Sequence, residues 1–254
     1  MDSKIFKNYA EYYDVLYQDK DYLKESAYIH SILEKHSNGK HILEAGCGTG
    51  GHAFNLIEYG YKIEGIDLSK EMIEIANHKK SNMQVSDNLS FKHCKFQDFK
   101  TNNQFDIVLS LFHILSYQTT NLDVLNYLKT AHRHLKKGGI AVIDFWYGPG
   151  VLNLKAETRI HRKETDTHLI FKHATPTSDI NLNLVNVHYD IYSINKINNT
   201  FEKISEDHLM RYFFLPELRL LTEPIFNMLG FYQWLTTNTP NDTTWSAVII
   251  LQKL

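Results

Sequence analysis

Between Gly39 and Trp146, short apolar runs alternate with helical patterns, and that alternation limits the architecture more than any other feature of the chain. The runs are His41 to Ala45, Lys62 to Ile66, Leu89 to His93, Phe105 to Leu111 and Gly139 to Trp146. Before the last of them, Leu122, Leu125, Leu128, Ala131 and Leu135 fall three or four residues apart, the spacing of one helix face. Thr120 is the expected N-cap of that helix, with Asp123 in its first turn, and Lys136-Lys137-Gly138-Gly139 is its expected end. Successive strands separated by helices need crossover connections, which build a parallel sheet with helices on both faces.

The full 254 residues exceed what this unit needs. After Gly148-Pro149-Gly150 the pattern changes: from Glu157 to Phe214 no helical period is found. Val185, Val187, Tyr189 and Ile191 instead recur at a spacing of two, as in a strand with one buried face. That stretch reads as an antiparallel sheet inserted into the α/β unit. Leu215 to Leu229 returns to a helix, and Phe231 to Thr237 and Trp245 to Gln252 are expected to close the fold as strands. The predicted organisation is a helical N-terminal lid over residues 1–38, a cofactor domain over 39–148 and 215–254, and a substrate subdomain over 149–214.

Composition removes several classes of function. With 27 basic and 29 acidic residues the formal net charge is −2, which gives no general attraction for nucleic acid or an acidic membrane. Two cysteines, Cys47 and Cys94, make no disulfide framework. The opening Met1 to Lys7 has no apolar core of the signal-peptide kind, and no window is apolar for long enough to span a bilayer. A cytoplasmic protein is expected, monomeric or homodimeric. The histidines lack metal-ligand spacing, so no metal is expected.

The chemistry centres on Glu44-Ala45-Gly46-Cys47-Gly48-Thr49-Gly50-Gly51, which closes the first predicted strand and opens a helix. Glycine is needed where a backbone must turn tightly and come close to a ligand. Asp67 ends the next apolar run, where a carboxylate can accept both hydroxyls of a ribose. Strand, glycine loop, helix, strand and terminal acid in this order point to an adenosine-type cofactor. Gly46, Gly48 and Gly51 also satisfy the dinucleotide spacing, so a nicotinamide-dependent oxidoreductase is the rival reading. Glu44 argues against it: an acid before the first glycine repels a pyrophosphate and attracts a sulfonium and an ammonium. Gln97-Asp98-Phe99, after the third strand, supplies an acid–amide pair for the adenine amino group.

Glu44 to Gly50 resembles motif I of class I S-adenosylmethionine-dependent methyltransferases. Tyr9 to Tyr17 resembles the N-terminal cap of bacterial sugar N-methyltransferases acting on nucleotide-linked sugars, and Glu206-Asp207-His208 is similar to their late Glu-x-His. Three further runs, Phe112 to Thr120, Asp144 to Pro149 and Met210 to Pro216, resemble methyltransferases associated with bacterial surface-polysaccharide genes. Ser116 stands where the sugar N-methyltransferases carry a histidine, and His113 is near but not equivalent. The resemblance implies a Rossmann-like seven-stranded sheet whose last strand is antiparallel. It implies S-adenosylmethionine as cofactor and S-adenosylhomocysteine as product. Besides Glu44, Gly46, Gly48, Gly50 and Asp67, it implies cofactor contacts from Tyr13, Ala45, Cys47, Leu68, Met72, Gln97, Asp98, Phe99 and Leu111.

For the acceptor, His113 at the carboxyl end of the fourth strand is either a base or a buried capping histidine. His208 is either a second base or a cross-strand surface residue, and Tyr17 is either a catalytic hydroxyl or a packing aromatic. Asp144, Trp146 and Tyr147 are candidates for shaping the acceptor site, and Arg211 for holding a phosphate or carboxylate. The expected acceptor is a small polar molecule, a nucleotide-linked sugar or another precursor of a capsule or lipopolysaccharide, methylated at N or O. A phosphorylated or phosphoramidate small molecule is the alternative. Modification of RNA or protein is a further rival, disfavoured by the net charge.

Overall fold

The computed structural model describes residues 10–83 and 87–254, so Tyr9 and the opening part of the expected lid lie outside the described residues. Two helices, α1 (Ala10–Leu16) and α2 (Tyr22–His36), precede the sheet. Then come β1 (His41–Ala45), α3 (Gly51–Leu56), β2 (Lys62–Asp67), α4 (Lys70–Asn82), β3 (Leu89–His93) and β4 (Phe105–Ser110). After α5 (Asn121–His134) and β5 (Leu135–Tyr147), a short α6 (Gly148–Leu154) leads into β6 (Arg159–Glu164), β7 (His168–Asp179), β8 (Leu184–Asn195) and β9 (Phe201–Phe213). Helix α7 (Leu215–Thr222) and strands β10 (Phe226–Gln233) and β11 (Ser246–Lys253) complete the chain.

Strands β3, β2, β1, β4 and β5 pair in that order, all parallel. β11 runs antiparallel to β5, and β10 antiparallel to β11. This is the seven-stranded Rossmann-like sheet with its closing strand reversed. Its strands are buried on both faces: Ile42, Leu43, Ile107, Val108, Leu109 and Val142 are all fully enclosed. That burial is why the strands read as continuous apolar runs rather than as alternating ones.

Two details of the sequence reading are corrected. The buried face of α5 is Val124, Tyr127, Leu128 and Ala131, while Leu122 is 67% exposed. Thr120 does cap the helix, its hydroxyl accepting from the Asp123 amide. The helix stops at His134, and Lys136-Lys137-Gly138-Gly139 belongs to β5, with Gly138 at φ +74° where the register with β4 shifts. The second correction concerns the closing helix, which ends at Thr222 and not near Leu229, so β10 starts five residues earlier than Phe231.

The inserted strands β6 to β9 form an antiparallel meander, as the spacing-of-two pattern predicts. It is joined to the main sheet. Trp146 and Tyr147 pair in parallel with Tyr212 and Phe213 of β9. Trp146 also pairs with Ser246 of β11, so β9 occupies the edge of β5 that β4 has vacated. Helix α1 bridges the two halves. Asp14 accepts from the Thr49 hydroxyl (2.7 Å) and pairs with Lys79, while Tyr12 donates to Glu202 of β9 (2.9 Å). No helix among the described residues is long and apolar enough to cross a membrane.

Candidate active site

At the carboxyl end of β1 the chain turns through Gly46 (φ +73°), Gly48 (φ +54°) and Gly50 (φ +86°), conformations that exact a cost from any residue with a Cβ. At Gly46 space is also short, because a Cβ there would lie 2.4 Å from Ile114 Cδ1. The Gly46 and Cys47 amides donate to the Ile66 carbonyl, and the Gly48 amide donates to Asp67 Oδ2 (2.9 Å). Asp67 Oδ1 accepts from the Ser69 amide (2.8 Å), so the acid at the end of β2 is locked to the loop. Burial raises its pKa, opposed by these backbone hydrogen bonds.

Glu44 lies behind the loop, 1% exposed. Burial, then the nearby Asp67 charge, pushes its carboxyl up to about 8. Its Oε1 is 3.7 Å from His52 Nδ1, and its Oε2 has no hydrogen-bond partner. A buried acceptor without a donor, beside a second acid, is a site prepared for positive charge.

Two cavities meet at this loop, sharing Gly46, Asp67 and Ile114. The narrow one, about 50 Å³, is lined by Leu68, Phe96, Gln97 and Gln118, with Gln97 Nε2 donating to Gln118 Oε1 (2.7 Å). The wider one, about 300 Å³, has Tyr13 of α1 and Tyr17 just beyond it on one side and Tyr189 and His208 of the inserted sheet on another. Cys47, Met72, Leu111, His113 and Trp146 also line it.

His208 is 3% exposed and held at both ring nitrogens. Nδ1 lies 2.8 Å from the Tyr117 hydroxyl, and Nε2 lies 3.2 Å from Glu206 Oε2. A carboxylate accepts only, so Nε2 carries a proton towards Glu206, and in the neutral ring Nδ1 is the nitrogen that accepts from Tyr117. Tyr117 and His208 both face the wider cavity, and the pair can take a proton from a bound nucleophile.

His113 lines the same cavity but is unsuited to be a base. Desolvation, then the positive charge of Lys20, hold its pKa down to about 3. It stays neutral, with Nε2 2.8 Å from Ser246 Oγ. Phe112 (φ +62°) and His113 (φ +65°) both adopt left-handed backbone, and Asp144 accounts for their being held there. Asp144 Oδ1 accepts from the His113 amide (2.8 Å), and burial raises the acid to about 7. Asp144 thus positions the bend and does not line either cavity.

Other expected site residues are placed elsewhere. Arg211 is buried against Glu217 and donates to Asn121 Oδ1 (2.7 Å), so its guanidinium serves the junction of β9 with α7 and not an acceptor anion. Tyr147 packs edge-on against Phe231. Phe99 is core, packed on His134, and Asp98 is exposed beside it. Ala45 is enclosed in the core, and Gly50 faces Phe54 and Phe91. Tyr117, Tyr189 and Trp245 line the wider cavity without having been singled out. Tyr117 stood inside the run Phe112 to Thr120, where only its residue type hinted at a role.

Residues 42–139 match the family model described as a methyltransferase domain. That segment, less than half of the chain, carries the sequence pattern of a methyltransferase domain. A crystal structure of an S-adenosylmethionine-dependent methyltransferase from Clostridium acetobutylicum ATCC 824 superposes with a TM-score of 0.80 at 19% identity, covering 97% of this chain and 98% of that one. The sugar N-methyltransferase KedS8 from Streptoalloteichus sp ATCC 53650 superposes equally well, with a TM-score of 0.80 at 18% identity over 95% and 92% of the two chains. In sequence, the dTDP-3-amino-3,6-dideoxy-alpha-D-glucopyranose N,N-dimethyltransferase of Streptomyces fradiae is 27% identical over 143 residues, which span 55% of this chain and 54% of that protein.

S-adenosylmethionine is the cofactor that the methyltransferase-domain match and the shared fold imply, and the residues present fit it. The unpartnered Glu44 Oε2 suits an ammonium, Asp67 at the end of β2 suits a ribose diol, and the narrow cavity between Leu68 and Phe96 suits a flat base.

Proposed function

We propose that the methyltransferase acts on a small polar acceptor, a nucleotide-linked sugar or another precursor of a bacterial surface glycan, at nitrogen or oxygen. The observation that carries this reading is the wider cavity, where a buried Tyr117–His208–Glu206 chain and the aromatic rings of Tyr13, Tyr17 and Trp146 surround a space next to the cofactor loop. The sugar N-methyltransferases among its relatives support the acceptor class.

S-adenosylmethionine supplies a methyl group on a sulfonium, already activated for displacement. The chain's part is to align the acceptor, exclude water and remove a proton. Tyr13 on α1 and Tyr17 just beyond it close the cavity from the solvent side. His208 Nδ1, through the Tyr117 hydroxyl, receives the proton that a sugar hydroxyl or an ammonium must lose, and Glu206 stabilises the imidazolium formed. A phosphorylated or phosphoramidate acceptor is compatible with the same arrangement.

Two measurements test this. Calorimetry with S-adenosylmethionine and S-adenosylhomocysteine should show binding, and a dissociation constant above about one millimolar for both would refute the reading. A labelled-methyl assay comparing small-metabolite extract with total RNA and protein should place the label in the small molecules.

A further inference from the structure

Beside the methyl-transfer cavity lies a more open one of about 550 Å³. The two share a wall made of Trp146, Val187, Tyr189 and Trp245. Strands β6 and β7 supply the far side. Their register pairs His161 with Lys172 and Arg159 with Ala174, so Arg159, His161 and Lys172 stand on one face of the inserted sheet, towards the cavity. Lys163 is next in the same alternation on β6, while Ile160, on the opposite face, is 68% exposed. A strand with one covered face normally turns its apolar residues inward and its charges outward. On β6 the face towards the cavity carries the basic Arg159 and His161, while the opposite face mixes Ile160 with Arg162 and Glu164; Lys163 lies outside the cavity lining and pairs with Asp19.

Lys155 adds a further cation from the end of α6. Its backbone sits at φ +58°, a conformation that lysine rarely adopts and that the surrounding structure must hold. Among the described residues Lys155 and Arg159 take part in no ion pair, and Glu157 is the acid that shares the wall with them. Lys172 is 6% exposed, its ammonium donating to the Tyr17 hydroxyl (3.2 Å) and lying 4.6 Å from the ring centroids of both Tyr17 and Tyr189, which line the methyl-transfer cavity. After burial, the charges of Lys172, Arg159 and Lys163 depress the His161 pKa, a sign of the local positive field.

We propose that this basic cavity is the anion-binding half of the acceptor site, taking a phosphate or diphosphate ester whose attached nucleophile reaches the methyl-transfer cavity past Trp146 and Trp245. Arg159 offers a planar fork and Lys155 a point charge, donors that match the oxygens of a phosphate or diphosphate, with the Lys172 charge adding to the field behind them. The proposal rests on the methyltransferase reading above and adds that the acceptor is phosphate-bearing, not a free sugar.

The test is calorimetry of the full chain, saturated with S-adenosylhomocysteine at low salt, titrated with inorganic pyrophosphate. The wild type should bind, and the double variant Lys155→Glu/Arg159→Glu should bind at least about tenfold more weakly, with S-adenosylhomocysteine affinity unchanged. Lys155→Arg/Arg159→Lys, which keeps the charges, should retain binding within about threefold. Equal pyrophosphate affinity in the charge-reversed variant, or no pyrophosphate binding by a wild type that binds S-adenosylhomocysteine, overturns the anion site and leaves the methyltransferase reading standing. Failure of S-adenosylhomocysteine itself to bind overturns both.

Discussion

Glu44 should release a proton when cofactor arrives. With its carboxyl pushed up to about 8, it is protonated in about nine of ten free molecules at pH 7. An ammonium placed against the unpartnered Oε2 favours the ionised form, so binding at pH 7 carries an ionisation cost of about 1.4 kcal/mol. The cofactor association constant should therefore rise about tenfold from pH 6 to 7, about fivefold from 7 to 8, about twofold from 8 to 9, and then level off. Calorimetry in two buffers of different ionisation enthalpy should count about 0.9 proton released at pH 7 and about half a proton at pH 8. His52 does not confuse the count, because burial lowers its pKa and keeps it neutral there. The cofactor's own amine does titrate in this range, so the quantity to read is the difference between wild type and Glu44→Gln. An identical proton count in both would show that Glu44 is not the group that meets the cation.

Four further substitutions have defined outcomes. Asp67→Ala should weaken cofactor binding by about 1–3 kcal/mol, since the Gly48 amide and the ligand both lose a charged acceptor; unchanged affinity in calorimetry would place the ribose elsewhere. His208→Asn should lower kcat by about 10²–10⁴ at unaltered cofactor affinity, whereas His113→Gln should leave the rate–pH profile between pH 5 and 8 without a lost inflection, because His113 is held near 3. Steady-state kinetics across that range decides both, and normal turnover in the His208 variant removes it from catalysis. Arg211→Ala should destabilise the fold by about 2–3 kcal/mol by stranding its partly exposed partner Glu217, and an unmoved denaturant midpoint would refute the structural role.

The cofactor half of this molecule is readable from the sequence because its signals are local. Glu44, the glycines and Asp67 lie at the ends of two adjacent strands, and strand–turn–helix order places them without knowledge of the rest. The acceptor half depends on pairing at long range. His208 meets Tyr117 across 91 residues, and Arg211 finds Glu217 only because β9 runs directly into α7. Nothing near Arg211 in the sequence distinguishes a guanidinium awaiting a phosphate from one already satisfied. The helix boundaries failed for a related reason: Lys136-Lys137-Gly138-Gly139 has the composition of a helix stop, but the residues on either side of it, Leu135 and Ile140, pair with β4, and the run is carried as the irregular part of β5. His113 was placed correctly at the end of β4, yet its chemistry is set by desolvation in the folded wall, which residue type does not reveal.

The two-residue splice of Trp146-Tyr147 onto Tyr212-Phe213 has a mechanical meaning. It makes the acceptor wall and the cofactor floor one continuous hydrogen-bonded plate, so neither can swing away from the other without tearing ladder bonds. Helix α1 is held to both parts of that plate by side chains: Asp14 to Thr49 and Lys79 on one side, Tyr12 to Glu202 on the other, with Tyr12, Tyr13 and Leu16 packed against Met72, Ile170 and Ile191 between them. The separation between the glycine loop and the inserted sheet is thereby built into the backbone pairing itself.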